Sequence, residues 1–198
     1  VSSAKVFGES SPLTASGAPH AWTAADPVQP RGPYGESKLA AEHLLRARCD
    51  AEGPALTILR PPLVYGPGNK ANLRALLQAI ARGWPLPLAS IRNLRSLVHV
   101  DNLADLIAHA LGRAEGTRCY TLSDVDLSTP DLVRALATGL ECTPRLLPCP
   151  VGALRLVGRL TGRDGMIARL TDSMVLDRAE VMRALDWSPP ISFAAAMR

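Results

Sequence analysis

The chain has 198 residues, of which 47% are hydrophobic and 20% charged, so it can bury a core as one or two domains. The formal net charge of +4 is spread along the chain and forms no basic block, which argues against a nucleic-acid-binding tail. No apolar run approaches the roughly 18 residues of a membrane-spanning helix, so we expect neither nucleic acid nor membrane as a partner.

The first 48 residues predict a strand, a long loop and a helix. Val1–Gly8 is short and apolar and ends in glycine, which indicates the end of a buried strand. Residues 9–33 are rich in Ser, Pro, Gly and Ala without a period, which is typical of a long and often functional loop. Pro33 stands where a helix can begin, and apolar residues at helical spacing predict a helix from Tyr34 to about Arg48.

The rest of the chain alternates between predicted strands and helices. Short apolar runs predict strands over 55–59, 96–100 and 119–122, with a turn over 65–68 and an extended segment over 84–90. Helical spacing and capping residues predict helices over 72–81, 101–111, 128–140 and 177–185. Strands that alternate with helices of about 10–15 residues indicate an α/β fold with a parallel sheet.

The candidate chemistry lies at the start of the first helix. Tyr34-Gly35-Glu36-Ser37-Lys38 is a YxxxK motif, and residues i and i+4 share one face of a helix. An ammonium one turn from a phenol stabilises the phenolate, which a tyrosine general acid/base requires. Ser2-Ser3 precedes the loop, where a hydroxyl can bond a substrate oxygen or simply satisfy backbone groups.

Four motifs in this order resemble those of one enzyme family. They are SSAKVFGE from Ser2, PYGESK from Pro33, LRPPLVYGPG from Leu59 and RSLVHVDNLADLI from Arg95. Together they are similar to the ordered signature of extended short-chain dehydrogenases, the NAD-dependent epimerase/dehydratase family. The resemblance covers nearly the whole chain and is greatest to enzymes that act at C4 of UDP-sugars. It implies a Rossmann-like parallel sheet with a small α/β substrate-binding subdomain.

The resemblance also implies roles for individual residues. Ser3, Tyr34 and Lys38 would be the catalytic set, with Tyr34 exchanging the proton of the C4 hydroxyl while a hydride moves to or from the nicotinamide. The cofactor-binding residues would be Tyr34, Lys38, Pro61, Pro62 and Val64. The substrate-binding residues would be Ser3, Lys5, Asn72, Leu73, Pro87 and Arg95, where Arg95 would hold the diphosphate. No metal site is implied.

The family's glycine-rich phosphate-binding turn is missing from these residues. Residues 66–71 fit GxGxxA between a strand and a helix, but Pro67 offers no N–H to a phosphate. No acidic residue follows about 20 positions later to hold a ribose. We therefore expect the true motif upstream of Val1 and the chain to be part of a longer protein, with the first βα units of the sheet outside it.

Several activities are consistent with the same residues. We expect NAD, with NADP possible, and favour 4-epimerisation of a UDP-sugar; a UDP-4-keto-sugar 4-reductase of O-antigen synthesis and a non-catalytic relative are the alternatives. A 4,6-dehydratase is disfavoured because Ala4 and Lys5 stand where dehydratases of the family carry an acidic pair. A second diphosphate-binding arginine is common in the C-terminal part of the family, and the candidates are Arg155, Arg159, Arg163 and Arg169.

The expected organisation divides the chain into two interleaved parts. Residues 1–66 and 96–139 would belong to the dinucleotide-binding domain, and residues 67–95 and 140–198 to the substrate-binding part. Homodimerisation is a family expectation without a sequence feature that supports it here. The four cysteines have no CxxC or zinc spacing, which is typical of reduced thiols in a cytoplasmic protein.

Overall fold

A computed structural model describes residues 1–49, 53–68, 72–113 and 115–197, with only the backbone at Asn72. After a short 3₁₀ helix at Ala4–Phe7, strands and helices alternate up to α4 except for two strand pairs, and the C-terminal part is mainly helical. The strands are β1 (Ala21–Trp22), β2 (Leu56–Arg60), β3 (Leu63–Tyr65), β4 (Arg95–His99), β5 (Thr117–Thr121), β6 (Val125–Leu127) and β7 (Val175–Leu176). The helices are α1 (Pro33–Cys49), α2 (Asn72–Ala81), α3 (Val100–Gly112), α4 (Thr129–Gly139), α5 (Val151–Leu160), α6 (Asp164–Thr171), α7 (Ala179–Ala184) and α8 (Phe193–Ala196).

Parallel pairing dominates the strands, as the alternation predicts. β2 pairs with β5 from Leu56↔Thr117 to Arg60↔Thr121, β3 pairs with β4, and β1 pairs with β7, all in parallel. β6 is the exception, because it lies antiparallel to β4 at the far edge. The resulting mixed α/β architecture with parallel strands confirms the predicted fold class.

Two cores lie on opposite faces of β4, because successive side chains of a strand point to opposite faces. Val98 belongs to the first core, which α3 and α7 cover, and Leu97 belongs to the second, between α2, α4 and α5. A third cluster joins the 3₁₀ helix to β7 through Phe7 and Leu176. Trp187 is buried in the first core and donates from Nε1 to Asp105 Oδ2 at 2.7 Å, which ties the segment after α7 to α3.

The prediction that Val1–Gly8 is the end of a buried strand is wrong, because these residues form an extended segment and a 3₁₀ helix. The backbone runs beside β2, where Ser2 N donates to Leu59 O at 2.7 Å and Ala4 N to Pro61 O at 2.9 Å. From Ala4 the chain coils into the 3₁₀ helix, because the Ser3 hydroxyl accepts from Lys5 N at 3.3 Å and caps the turn. An apolar run this short does not distinguish a buried strand from a buried turn of helix.

The other helix and strand boundaries are close to the predicted ones, but the predicted extended segment over 84–90 is wrong from Pro87 onward, where the chain turns. α2 spans the predicted residues 72–81, and α4 begins after Ser128, whose Oγ accepts from Asp131 N. α3 differs in its cap, since His99 Nδ1 accepts from Asp101 N at 3.3 Å and the helix begins at Val100. The sequence did not predict α5, α6, α8 or the short strands β1, β3, β6 and β7.

Candidate active site

Tyr34 and Lys38 lie one turn apart at the start of α1. The Lys38 Nζ is 5.8 Å from the centroid of the Tyr34 ring. The Tyr34 side chain is 58% exposed, and Lys38 is half-buried. The helix therefore places an ammonium against the phenol, as the i,i+4 spacing predicts, while leaving the phenol open to a ligand.

Gly35 holds this end of α1 against the segment that carries Ser3. A Cβ atom at Gly35 would lie 2.7 Å from the Lys5 carbonyl oxygen and 3.1 Å from Pro30 Cβ. Real Cβ atoms do not approach a backbone oxygen so closely, so only glycine permits this contact without a backbone shift. The glycine inside the YxxxK motif thus sets the distance between Tyr34 and the 3₁₀ helix.

Ser3 lies at the end of the extended segment and beside the turn that follows β2. Its hydroxyl accepts from Lys5 N, and within the described ranges it donates to no other side chain. Ala4 N, next in the chain, donates to Pro61 O at 2.9 Å. The half-buried Ser3 hydroxyl is therefore free to donate to a ligand near the Pro61-Pro62 turn.

A buried carboxylate joins the three segments that carry these residues. Glu42 lies two turns beyond Tyr34 on α1 and accepts from Ser2 Oγ at 2.5 Å. Arg60, the last residue of β2, donates from Nε to Glu42 Oε1 at 3.0 Å and from its second terminal nitrogen to Oε2 at 2.7 Å. Glu42 is 2% exposed and Arg60 3% exposed, so this is a buried bidentate ion pair.

The charges of this pair are stabilised by their surroundings. Burial raises the pKa of the Glu42 carboxyl, but hydrogen bonds from Arg60 and Ser2 and the charges of Arg60 and Arg46 outweigh it, so the pKa lies below its ordinary value. Arg60 also stacks 4.9 Å above the Phe7 ring. This network is not among the contacts predicted from the sequence. Two features of the sequence could have indicated the ion pair. Glu42 lies four residues after Lys38 on the same face of the helix, and an arginine directly precedes Pro61-Pro62.

The candidate cofactor residues form the connection between β2 and β3. Pro61 is buried, and Pro62 and Val64 are half-buried. Val64 pairs with Val98 of β4. Pro61 is tied to the Ser3 segment by the bond from Ala4 N, so these residues lie at the same end of the sheet as Ser3.

Lys5 and Arg95 belong to a second group of charges. Lys5 Nζ forms an ion pair with Glu9, and Arg95 donates to the Asp172 carbonyl oxygen at 3.1 Å. Burial lowers the pKa of the Arg95 guanidinium, and nearby Arg169 acts in the same direction, whereas Asp172 and Glu9 oppose this. Glu9 thus pairs with Lys5, and its charge also acts on Arg95.

Two of the four candidate arginines of the C-terminal part lie near Arg95. Arg155 donates to Asp172 Oδ1 at 2.8 Å, and Arg169 is close enough to Arg95 to influence its charge. Arg159 and Arg163 are exposed on and just after α5. The structure therefore brings Arg95 and Arg155 together at Asp172, with Arg169 near Arg95.

The remaining predicted contacts are dispersed. Leu73 is 9% exposed and packs in the second core, Pro87 is exposed, and the side chain of Asn72 lies outside the described part of the chain. Leu73 lines a cavity of about 240 Å³ together with Tyr65 and aliphatic side chains of α2 and α4. A second cavity of about 80 Å³ is lined by Ser2, Lys38 and Glu42 among others. Neither of these cavities is lined by all three of Ser3, Tyr34 and Lys38.

Comparison with known proteins decides the family. The family model described as NAD dependent epimerase/dehydratase matches residues 1–122, which is more than half of the chain. The chain belongs to the NAD-dependent epimerase/dehydratase family. The matched residues include Ser3, Tyr34, Lys38 and Arg95. The family recognised from the four motifs is therefore confirmed.

Two curated relatives of the chain are sugar epimerases. The chain is 37% identical over 193 residues to a UDP-glucose 4-epimerase of Vibrio cholerae, covering 96% of this chain and 57% of the relative. It is 32% identical over 149 residues to an N-acetyl-alpha-D-glucosaminyl-diphospho-ditrans,octacis-undecaprenol 4-epimerase of Escherichia coli O157:H7, covering 69% of this chain and 45% of the relative. The chain therefore spans about half the length of these relatives.

Solved structures share the fold at lower identity. UDP-N-acetylglucosamine 4-epimerase from Bacillus cereus is 18% identical with a TM-score of 0.74, covering 99% of this chain and 60% of that one. UDP-glucose 4-epimerase from Thermus thermophilus, solved with NAD, is 21% identical with a TM-score of 0.70, covering 100% and 60%. In the described residues no helix is both long and apolar enough to cross a membrane.

Proposed function

We propose that this chain supplies the catalytic residues of an NAD(P)-dependent enzyme that oxidises and reduces C4 of a UDP-sugar, with 4-epimerisation as the net reaction. The observation that carries the proposal is the Lys38 ammonium 5.8 Å from the Tyr34 ring, on a helix that Gly35 holds against the Ser3 segment. The 37% identity to a UDP-glucose 4-epimerase supports the choice of reaction.

Each catalytic side chain has a distinct task in this proposal. Tyr34 removes the proton of the C4 hydroxyl and later returns one to the 4-keto oxygen. The positive charge of Lys38 stabilises the phenolate between these two steps. The Ser3 hydroxyl donates to the C4 oxygen, which orients it toward Tyr34.

The described residues fit the nicotinamide end of a dinucleotide. Lys38 can donate to ribose hydroxyls from its place beside Tyr34, and the Pro61-Pro62 turn and Val64 form an apolar wall at the same end of the sheet. A nicotinamide held by these residues would supply reversible hydride transfer with C4. The glycine-rich turn that holds a dinucleotide pyrophosphate does not occur among these 198 residues.

The group around Asp172 is suited to the substrate diphosphate. Arg95 and Arg155 both bond Asp172, and Arg169 adds a third positive charge. Guanidinium groups bind phosphate oxygens bidentately, so a diphosphate would offset the repulsion among these arginines. We propose Arg155 or Arg169 as the second diphosphate-binding arginine, with Asn72, Leu73, Pro87 and Lys5 nearer the uridine and the sugar.

The test uses the product of the complete gene that contains this chain. It is incubated with UDP-glucose and UDP-N-acetylglucosamine, and the C4 epimers and the consumption of NAD(P)H are measured together. Epimer formation without net NAD(P)H consumption supports the proposal. One NAD(P)H oxidised for each molecule of a UDP-4-keto-sugar reduced would assign the 4-reductase alternative instead.

The catalytic role of the phenol is tested by Tyr34→Phe. We expect at least an about 100-fold loss of kcat, because positioned general acid/base groups contribute about 10²–10⁴-fold. Tyr120→Phe, which removes a hydroxyl from a tyrosine buried in the first core, is the control and should retain activity. Full activity in Tyr34→Phe would contradict the proposed chemistry, and full biological activity without turnover would favour a non-catalytic relative.

A further inference from the structure

The solvent side of α5 carries large apolar side chains. Leu154 and Gly158 face the protein and are buried. On the opposite side Leu156 is 56% exposed and Leu160 is 78% exposed, and Val157, on the adjoining flank of the helix, is 56% exposed. A surface helix of a globular protein normally carries polar residues on this side, and single exposed leucines are common but a cluster is not. We call Leu156, Val157 and Leu160 the apolar stripe.

Arginines border the apolar stripe. Arg155 and Arg159 lie between the stripe and the buried side of α5, as the 100° rotation per residue requires, and both are exposed. Arg163 follows α5 and is also exposed. Residues 151–171 contain four arginines and one aspartate, with no lysine or glutamate. The outer face of the α5–α6 hairpin therefore combines aliphatic surface with positive charge.

Close packing fixes the position of the α5–α6 hairpin on the protein. A Cβ atom at Gly158 would lie 2.8 Å from Ile167 Cγ1 of α6, so the two helices are packed as closely as a glycine allows. Leu154 is 8% exposed and anchors α5 in the second core. The exposure of the apolar stripe is thus a consequence of the packing of α5 on the rest of the protein.

The charge on this face decides between possible occupants. A second copy of the chain in a two-fold contact would bring the same arginines opposite each other, and like charges repel. An anionic phospholipid surface instead complements both the arginines and the apolar stripe, because its headgroups attract arginine and its interfacial region accepts leucine and valine. We infer that the α5–α6 hairpin docks the protein on a bilayer that contains anionic phospholipid.

This mode of binding requires no membrane-spanning segment. A helix that lies in the interface buries its apolar side at the level of the headgroups. The expectation of no membrane partner came from the lack of a long apolar run in the sequence, and it does not apply to binding of this kind. The inference is independent of the proposed enzymatic activity. If both hold, the Arg155–Asp172 contact places the proposed diphosphate site next to the lipid surface.

Vesicle cosedimentation of the complete gene product tests the inference. Vesicles of phosphatidylethanolamine with phosphatidylglycerol are compared with vesicles of phosphatidylcholine alone. We expect binding to the anionic vesicles only. Binding should weaken when the ionic strength rises from about 0.1 M to about 1 M, because the screening length falls from about 10 Å to about 3 Å.

Variants of the exposed side chains make the test specific. Leu156→Gln/Leu160→Gln should weaken binding at least about tenfold, given the free energy of burying aliphatic side chains. Arg159→Gln/Arg163→Gln should weaken it by about fivefold for each arginine. Leu111→Gln is the matched control, because Leu111 is 77% exposed on α3, away from the hairpin, and should leave binding unchanged.

Three outcomes would overturn the inference. They are absence of binding to anionic vesicles, equal binding to both vesicle types, and equal weakening by Leu111→Gln. Light scattering of the same variants adds a fourth. If Leu156→Gln/Leu160→Gln converts a dimer into a monomer, a second copy covers this face and the membrane is not its partner.

Discussion

Removal of the Glu42 carboxylate should be among the most destabilising single changes outside the hydrophobic cores. Glu42→Ala leaves Arg60, which is 3% exposed, without its bidentate partner, and leaves Ser2 Oγ without its acceptor. Breaking one side of a buried ion pair costs about 3–5 kcal/mol. Since a domain is stable by about 5–15 kcal/mol, this change removes a large share of the stability.

The ionisation of Glu42 adds a signature in pH. Its folded pKa lies below the unfolded value of 4.5, so its stabilising contribution is fully present above pH 4.5 and is lost as the pH falls through the folded pKa. Glu42→Gln lacks this titration. The variant should therefore lose less stability than the wild type on acidification below pH 4.5, although it is less stable at neutral pH.

The assay is urea unfolding of the complete gene product, followed by circular dichroism at neutral and acidic pH. Glu115→Ala, a change of an exposed glutamate, is the control and should alter the free energy of unfolding by less than about 0.5 kcal/mol. Glu42→Leu/Arg60→Met should be less destabilised than the sum of the two single changes, because apolar groups can replace a buried ion pair. A loss below about 1 kcal/mol in Glu42→Ala would refute the reasoning, since hydrogen bonds to charged groups contribute about 1.5–3 kcal/mol.

Two further predictions concern the geometry of the site. Gly35→Ala must displace the Lys5 carbonyl and should destabilise the protein by about 1–3 kcal/mol in thermal unfolding. Gly152→Ala in α5 is the control, because its added Cβ has open space, and it should be neutral or stabilising. Equal effects of the two variants would contradict the close contact at Gly35. Arg95→Gln should raise KM for the UDP-sugar at least about tenfold with a smaller effect on kcat, because charge-assisted hydrogen bonds contribute about 1.5–3 kcal/mol. Arg118→Gln, which changes an exposed arginine on β5, is the control and should alter neither KM nor kcat. An unchanged KM in Arg95→Gln would show that Arg95 does not bind the substrate.

The sequence predicts elements well where local physics decides them. The boundaries of α2 follow from the spacing of its apolar residues, and Ser128 identifies the start of α4 because its hydroxyl caps the helix. The YxxxK motif predicts the contact between Tyr34 and Lys38 because four residues make about one helical turn.

Other elements could not be predicted because tertiary contacts decide them. β1 and β7 have two residues each, and they are defined by their pairing with each other. α5 has apolar residues on its buried and its exposed sides, so periodicity does not reveal its orientation. In the segment Ala4–Phe7 every residue except Lys5 is apolar, which does not distinguish a strand from a turn of helix, and the Ser3 cap makes it helical.

The same distinction holds for the candidate site. The residues of the YxxxK motif and Ser3 are recognisable because they resemble a family pattern. The Glu42–Arg60 pair connects residues 18 positions apart, and Arg155 meets Asp172 across 17 positions, which no spacing rule anticipates. The ion pair of Lys5 with Glu9 was also not foreseen, although it places a carboxylate beside a predicted substrate contact.

The most direct test of the proposed chemistry is a crystal structure of the complete gene product with NAD and a UDP-sugar bound. The account predicts that the C4 oxygen of the sugar lies within hydrogen-bond distance, about 2.5–3.0 Å, of both the Tyr34 and Ser3 hydroxyl oxygens. A sugar whose C4 oxygen lies beyond the reach of the Tyr34 hydroxyl, with another titratable side chain beside it, would contradict the account.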